Sequence, residues 1–296
     1  MGQEHWLTER QIPSISSLGT QFVARSGMED AISSQIYKGR PFGGVCIAWS
    51  PVLDQSMKPL SNFRHKRIVG VEFVSDNEKI IFITAYMPFF DSSKREQCMS
   101  ETIDAIAMID TIISEHHQHN VVIGGDLNSE LKGASPFDTL WEDLMKKFDL
   151  RSCDSFISCA NPYTYSHDSL GQRKWSDHFI VSNSLCEKMS NHAILDEGDN
   201  TSDHRPITFH LSVSLTAAST RTEDTVNSSN KLKWEKLSYA ELQSYQDRLR
   251  RLTDNKPPTA ETTCPEAPFL APTSFQTPYT SPFSSQASLF CNGSIV

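Results

Sequence analysis

The stretch Asn120-Val-Val-Ile-Gly-Gly-Asp-Leu-Asn128 decides the fold. Its apolar run, Val121 to Ile123, is too short for a helix and is closed by Gly124 and Gly125, so it reads as a buried strand ending in a sharp turn. Asp126 and Asn128 then stand two residues apart, on one side of the chain if the strand continues. A carboxylate there can take a proton from an attacking water, and an amide beside it can orient a phosphoryl oxygen. The same Gly-Asp-x-Asn string also serves as an ordinary turn whose polar side chains satisfy backbone groups, so the chemistry has to be argued from its surroundings.

Upstream, Gly43 to Ser50, Arg67 to Phe73 and Lys79 to Met87 are further apolar runs bounded by Gly, Pro, Ser and Asn, and each predicts a strand. Downstream, His178 to Leu185 and His204 to Val213 do the same. Arg95 to His117 carries Met99, Ile103, Ile106, Ile109 and Ile113 at helical spacing and predicts a helix packed through that face. A second helix starts at Ser135 as cap and Pro136 as first residue, with Phe137, Leu140, Trp141, Leu144 and Phe148 on its apolar side. Early and late strands with helices between them point to a layered α/β sandwich of mixed or antiparallel sheets, one domain over residues 1–213. Residues 214–230 are Ser/Thr/Asn-rich and predict a linker. Residues 231–253 predict an amphipathic helix, with Ser238 and Glu241 as a capping box and Leu242, Tyr245, Leu249 and Leu252 in a stripe. The Pro, Ser and Thr content of residues 254–296 predicts a tail without structure.

Composition narrows the function. The chain has 296 residues and a net charge of -9, so it lacks the general basic surface by which many proteins hold nucleic acid. Contact with DNA has to be local, or assisted by a metal ion held on carboxylates. Seven cysteines without a CxxC spacing argue against a disulfide framework or a zinc site and for a reducing interior compartment. No stretch has the apolar length to span a bilayer, and no segment announces an obligate protein partner. His116, His117 and His119 read as a polar cap at a helix end rather than as metal ligands.

Three more polar clusters sit at strand ends. Ser202-Asp203-His204 offers an imidazole able to donate to a phosphate, with a carboxylate beside it to bind metal or hold its tautomer. Trp175-Ser176-Asp177-His178 offers a carboxylate that can orient a histidine supplied from elsewhere. Gln3-Glu4-His5-Trp6 places a carboxylate at the start, and Tyr86 closes the strand from Lys79. Taken singly, each is as well explained by a solvated loop or a core aromatic.

Their order is more specific. Gln3-Glu4, Tyr86-Met87-Pro88, Gly125-Asp126-Leu127-Asn128, Thr164, Asp177 and Ser202-Asp203-His204 together resemble the endonuclease/exonuclease/phosphatase superfamily over about residues 3–213. The resemblance implies a four-layer α/β sandwich of the DNase-I-like type and in-line hydrolysis of a phosphodiester. It implies metal binding at Glu4 and Asp203, with Mg²⁺ or Mn²⁺ as cofactor. It implies catalytic roles for Tyr86, Asp126, Asn128, Asp177 and His204, and substrate-phosphate contacts for Asn128, Thr164 and His204. Family members carry an Asn-bearing strand ahead of the Gln-Glu motif, so the expected sandwich lacks its first strand. Gln3-Glu4-His5-Trp6-Leu7 and Trp234-Glu235-Lys236-Leu237 are similar to the endonucleases of LINE-type retrotransposons, which implies double-stranded DNA as substrate and a nuclear site of action. The alternatives are a lipid or inositol-phosphate phosphodiesterase of the same fold and a non-catalytic truncated remnant.

Overall fold

Continuous runs of buried side chains along the strands of one central sheet build the fold. A computed structural model describes residues 1–18, 20–27, 43–133, 135–157, 162–195, 200, 202–213 and 286–291. In chain order the strands are β1 (Gly2–Gln3), β2 (Gln21–Arg25), β3 (Val45–Trp49), β4 (Met57–Pro59), β5 (Ile68–Val74), β6 (Lys79–Tyr86) and β7 (Asn120–Asp126). They continue with β8 (Leu150–Ser152), β9 (Tyr165–His167), β10 (Gln172–Lys174), β11 (Asp177–Ser182), β12 (Met189–Ile194), β13 (Ile207–Ser212) and β14 (Gln286–Cys291). The α-helices are α1 (Arg95–Glu115) and α2 (Pro136–Lys147).

A six-stranded sheet in the order β4-β5-β6-β7-β11-β8 is the central layer. Its parallel pair, β6 with β7, is joined through α1. Val69, Val71, Phe73, Ile80, Phe82, Val122, Phe179 and Val181 face one way and meet two three-stranded sheets, β1-β3-β2 and β12-β13-β14. Ile68, Ile81, Ile83, Val121, Ile123 and Ile180 face the other way and meet the helices. Strands covered on both faces read as unbroken apolar runs, which is why the β5, β6 and β7 segments stand out in the sequence. The 3₁₀ helix Ile12–Leu18 lays Ile12 and Ile15 on the outer side of the small β1-β3-β2 sheet beside Cys46, adding a partial fourth layer.

Ser135 caps α2 as expected and forms a full capping box with Asp138, with Pro136 in the first turn. The buried face of α1 differs from the expected one. Cys98, Thr102, Ala105, Ile106, Ile109, Ile112 and Ile113 are buried, whereas Ile103 is 47% exposed. Small residues let the first turns of the helix approach the sheet, and the Thr102 hydroxyl is satisfied within the helix by donating to Cys98 O at 2.8 Å. The strand expected over 178–185 begins one residue early and gives way at Asn183 to a 3₁₀ turn. The strand expected from His204 starts only at Ile207, because Pro206 has no N–H for a ladder.

Within the stretch expected to lack structure, Gln286–Cys291 is a strand, antiparallel to β13 through the whole of that strand's length. The bare edge of β13 offers a row of backbone groups, and a short segment can fill it through backbone hydrogen bonds even from a Pro/Ser/Thr-rich stretch. The expected linker and the expected helix over 231–253 lie outside the described residues. Among the described residues no helix is long and apolar enough to cross a membrane.

Two glycines with positive φ separate conformational need from space. Gly125, at φ 150, would bring a Cβ to 1.9 Å from Ala85 O on the neighbouring strand, while Gly171, at φ 60, has nothing within 4 Å. Gly171→Ala is therefore expected to cost only the backbone strain, about 1 kcal/mol. Gly125→Ala forces β6 and β7 apart and is expected to lose several times that in a urea titration. Equal midpoints for the two variants would contradict the register of this strand pair.

Candidate active site

Asp126 closes β7, Asp177 opens β11, and the two are cross-strand partners. Both are buried, and like charges directly opposite one another repel. His204 answers that repulsion. It stands in the turn before β13, bridged to Tyr165 of β9, with Nδ1 at 2.7 Å from Asp177 Oδ2. Burial pulls the His204 pKa down, but the charge and hydrogen bond of Asp177 outweigh it and raise the imidazole to about 9. Burial and the facing Asp177 charge push Asp126 up to about 7, against the opposing pull of His204.

Glu4 joins this group from the other small sheet. It follows β1 in a left-handed turn, φ 53, with its N–H donating to Gly44 O at 2.8 Å. The Tyr86 hydroxyl, at the end of β6, donates to Glu4 Oε1 at 2.7 Å. Burial first, and then the Glu4 charge, raise the Tyr86 pKa well above the phenolic range, so the hydroxyl keeps its proton. Glu4, Tyr86, Asp126, Asn128, Asp203 and His204 line one cavity of about 180 Å³. Six of the eight residues expected from sequence thus meet around a single cleft, although they come from both layers of sheet.

The other two lie behind it. Asp177 is covered by His204. Thr164 is fully buried, and its Oγ1 accepts from the backbone N–H groups of Ser176 and Asp177, both at 3.0 Å. The structure thus places Thr164, expected as a substrate-phosphate contact, behind the cleft lining, where its hydroxyl oxygen positions the Asp177 turn. Asn128 also differs from expectation. The strand stops at Asp126 and Asn128 adopts φ 47, so the pair is brought together by an Asx-type turn, with Asn128 N–H donating to Asp126 Oδ1 at 3.1 Å. The Asn128 amide group donates to Met87 O at 2.9 Å and to Asp126 Oδ2 at 3.2 Å.

Phe89, Tyr165, Lys174 and Ser176 complete the cleft, and of these the sequence marks Ser176 alone, as part of the Trp175–His178 cluster. No local pattern marks Lys174 as facing the site, because only the β9–β10 register sets it there. The cleft opens into a larger hollow of about 440 Å³ that shares Phe89, Asn128, Lys174 and Ser176 with it and adds the aromatics Phe90 and Trp175.

His178, next to Asp177, is a structural residue. Its Nδ1 lies 2.8 Å from Asp154 Oδ2 and its Nε2 lies 2.7 Å from Ser129 O. Both nitrogens are therefore engaged inside the sheet.

Among the described residues no three of His, Cys, Asp and Glu stand close enough to form a ready-made metal site. The oxygen-rich cleft nevertheless suits a hard cation. Among the described residues Asp177 Oδ1 finds no hydrogen-bond partner although it is buried, and burial first, then the charge of Asp177, raises the Asp126 carboxyl. Glu4 and the exposed Asp203 are the carboxylates placed to hold such an ion, and water or substrate oxygens would complete its shell, as is usual for Mg²⁺.

Neither a family model nor a curated protein matches the sequence. Solved structures do. The 3′ phosphatase NExo from Neisseria, bound to a product DNA hairpin, matches with a TM-score of 0.53 at 15% identity, over 71% of this chain and 87% of that one. The AP endonuclease LMAP from Leishmania major matches with a TM-score of 0.55 at 15% identity, over 69% of this chain and 75% of that one. The chain has the DNase-I-like fold. The endonuclease domain of TRAS1, a telomere-specific non-LTR retrotransposon, matches with a TM-score of 0.49 at 13% identity, over 66% and 81%. In the DNase-I-like frame, the cleft lies where the strand ends of both sheet layers meet.

The packing behind this cleft can be probed by stability. Thr164→Val keeps the shape but strands two buried N–H donors, and is expected to cost about 2 kcal/mol or more in urea unfolding, with Thr164→Ser close to the native value. Equal stability of the Val variant would show that the two N–H donors do not depend on the Thr164 hydroxyl. For His178, burial lowers the pKa, but the hydrogen bond and charge of Asp154 prevail and hold it above 6.5. Stability from this pair is therefore full below pH 6.5 and fades as pH rises through the higher folded value. Asp154→Asn is expected to flatten that part of the stability profile, measured by thermal melting across pH.

Proposed function

We propose that this chain is a divalent-metal-dependent phosphodiesterase that nicks double-stranded DNA, as the endonuclease of a LINE-type retrotransposon. The observation that carries the reading is the convergence of Asp126, the Asp177–His204 pair and the Glu4–Tyr86 pair on one small cleft. Such a set can hydrolyse a phosphodiester by in-line attack of water.

Asp126, raised to about 7, is partly ionised at neutral pH and can accept the proton of a water held beside it. Asn128 keeps the Asp126 carboxylate turned toward the cleft through its backbone and side-chain N–H groups. His204 commits Nδ1 to Asp177, which leaves the Nε2 side for a non-bridging phosphoryl oxygen. With its pKa near 9 the ring is an imidazolium and neutralises charge as the oxygens become more negative. The protonated Tyr86 hydroxyl is a further donor at the rim of the same cleft. Mg²⁺ or Mn²⁺ at Glu4 and Asp203 would supply additional neutralisation of the phosphate and of the departing oxygen.

Support for DNA is local. Lys174 lines the cleft, and Arg95, Lys132 and the aromatics Phe90 and Trp175 line the adjoining hollow, a mixture suited to phosphates and bases on a chain whose net charge is otherwise -9. Of the proteins that share the fold, NExo is a 3′ phosphatase solved with a DNA hairpin and LMAP is an AP endonuclease. The LINE assignment rests on the similarity of the Gln3–Leu7 and Trp234–Leu237 segments.

The test is conversion of supercoiled plasmid to the open-circular form. The native chain is expected to nick with Mg²⁺ and to stop on addition of EDTA, and Asp126→Ala or His204→Ala is expected to slow nicking by about 10²- to 10⁴-fold. Absence of nicking, or nicking that survives Asp126→Ala, would sink the reading. Release of phosphate esters from sphingomyelin or inositol phosphates in place of nicking would favour the lipid branch.

A further inference from the structure

Glu4 and Trp6 both hold positive φ, 53 and 51. Neither residue type enters the left-handed region readily, and two such conformations within three residues persist only where the surroundings over-determine them. His5 stands between the two and is buried.

The His5 ring is fixed from several sides. Its Nδ1 accepts from Leu7 N–H at 3.0 Å, and its Nε2 lies 2.9 Å from Arg25 O. Since Nδ1 is an acceptor, the proton of the neutral ring sits on Nε2 and is donated to Arg25 O. One ring therefore ties the exit of the turn to the end of β2. Its edge rests where Gly44 has no side chain, and a Cβ there would overlap the imidazole. The carbonyls of that same segment hold the turn as well: Glu4 N–H donates to Gly44 O at 2.8 Å, and Trp6 N–H donates to Gly43 O at 3.0 Å.

With both nitrogens engaged by backbone groups, the ring is placed neither to ligate a metal nor to carry a proton. What it controls is the heading of Glu4. The conformation at φ 53 brings the Glu4 carboxylate to the Tyr86 hydroxyl and into the cleft lining. Relaxation of the turn to extended backbone would redirect the Cα–Cβ bond of Glu4, and the tether through His5 to β2 opposes that relaxation.

We infer that His5 is a positioning residue that locks the Glu4 turn and so presents the Glu4 carboxylate to Tyr86 and to a divalent cation in the cleft. The cation rests on the reading proposed above, whereas the locking of the turn does not.

Three variants of the full chain test both parts. His5→Phe keeps a ring beside Gly44 and removes both hydrogen bonds, while His5→Asn retains the acceptor for Leu7 and His5→Gln the donor for Arg25. Amide hydrogen exchange at Glu4 and Trp6, followed by NMR without metal, reads the turn. Titration with Mn²⁺ followed by EPR reads the cleft, and kcat and KM for bis(p-nitrophenyl) phosphate with Mn²⁺ read catalysis. In His5→Phe, exchange at both amides is expected to accelerate by about tenfold, the loss of roughly one net hydrogen bond. Mn²⁺ affinity and kcat are expected to fall by about 10- to 100-fold, the usual effect of losing a group that orients a ligand, with the Asn and Gln variants between His5→Phe and the native chain. Native exchange at Glu4 and Trp6 in a folded His5→Phe variant overturns the inference, and a loss of Mn²⁺ affinity without faster exchange would make His5 a ligand instead. Should His5→Phe not fold, native exchange in both the Asn and Gln variants overturns it equally. Faster exchange with native Mn²⁺ affinity and native kcat overturns the link to the cleft. Faster exchange in variants of a chain that neither binds Mn²⁺ nor cleaves the ester upholds the lock and removes the metal-dependent reading.

Discussion

Asp126 and Asp177 face one another as cross-strand partners at the buried ends of β7 and β11, and much of the structure around them answers the repulsion this creates. An ion pair with His204 compensates Asp177. Asp126 shares its two oxygens with the backbone and side-chain N–H groups of Asn128 and has its pKa raised to about 7. Two carboxylates this close are not both comfortably ionised without further positive charge, so the fold carries a reserve of negative potential at one point of an otherwise apolar sheet. A divalent cation at this cleft, as proposed above, would offset that potential.

Holding that arrangement requires rigid support. Gly125 permits β7 to run against Ala85 at a distance no side chain would allow. Thr164 fixes the backbone of Ser176 and Asp177 with one hydroxyl. His178, on the opposite face of β11 from Asp177, joins Ser129 to Asp154 and anchors the loop that carries Asn128. None of these three touches the cleft, and each acts through a residue that does. Positioning of this kind holds a few polar groups in fixed geometry around a site of only about 180 Å³.

Charge elsewhere is arranged to suit. With a net charge of -9 the chain has no general basic surface, so the DNA substrate proposed above would have to be met by a local group of cations. Lys174, Arg173 and Arg205 sit on two neighbouring backbone segments joined by hydrogen bonds through Thr164.

The central strands, the Ser135 cap and the ordered polar motifs were legible in the sequence because each rests on local rules: apolar runs mark strands buried on both faces, and caps and turns use characteristic residues. For the same reason the reading erred where neighbours decide. The bulky residues of Arg95–Glu115 suggested one helical face, but the close approach of the sheet selected the small Cys98, Thr102 and Ala105. A polar composition hid the strand Gln286–Cys291, whose partner is an open edge far away in the chain. Thr164 carried no sign of whether its hydroxyl faces solvent or backbone, and the turn at Ser176 and Asp177 settled that. By itself the sequence determined which chemical groups are available and in what order they occur. The tertiary structure alone decided which of them share a cleft, because Glu4, Asp126 and His204 are separated by many residues and meet only when two layers of sheet bring their strand ends together.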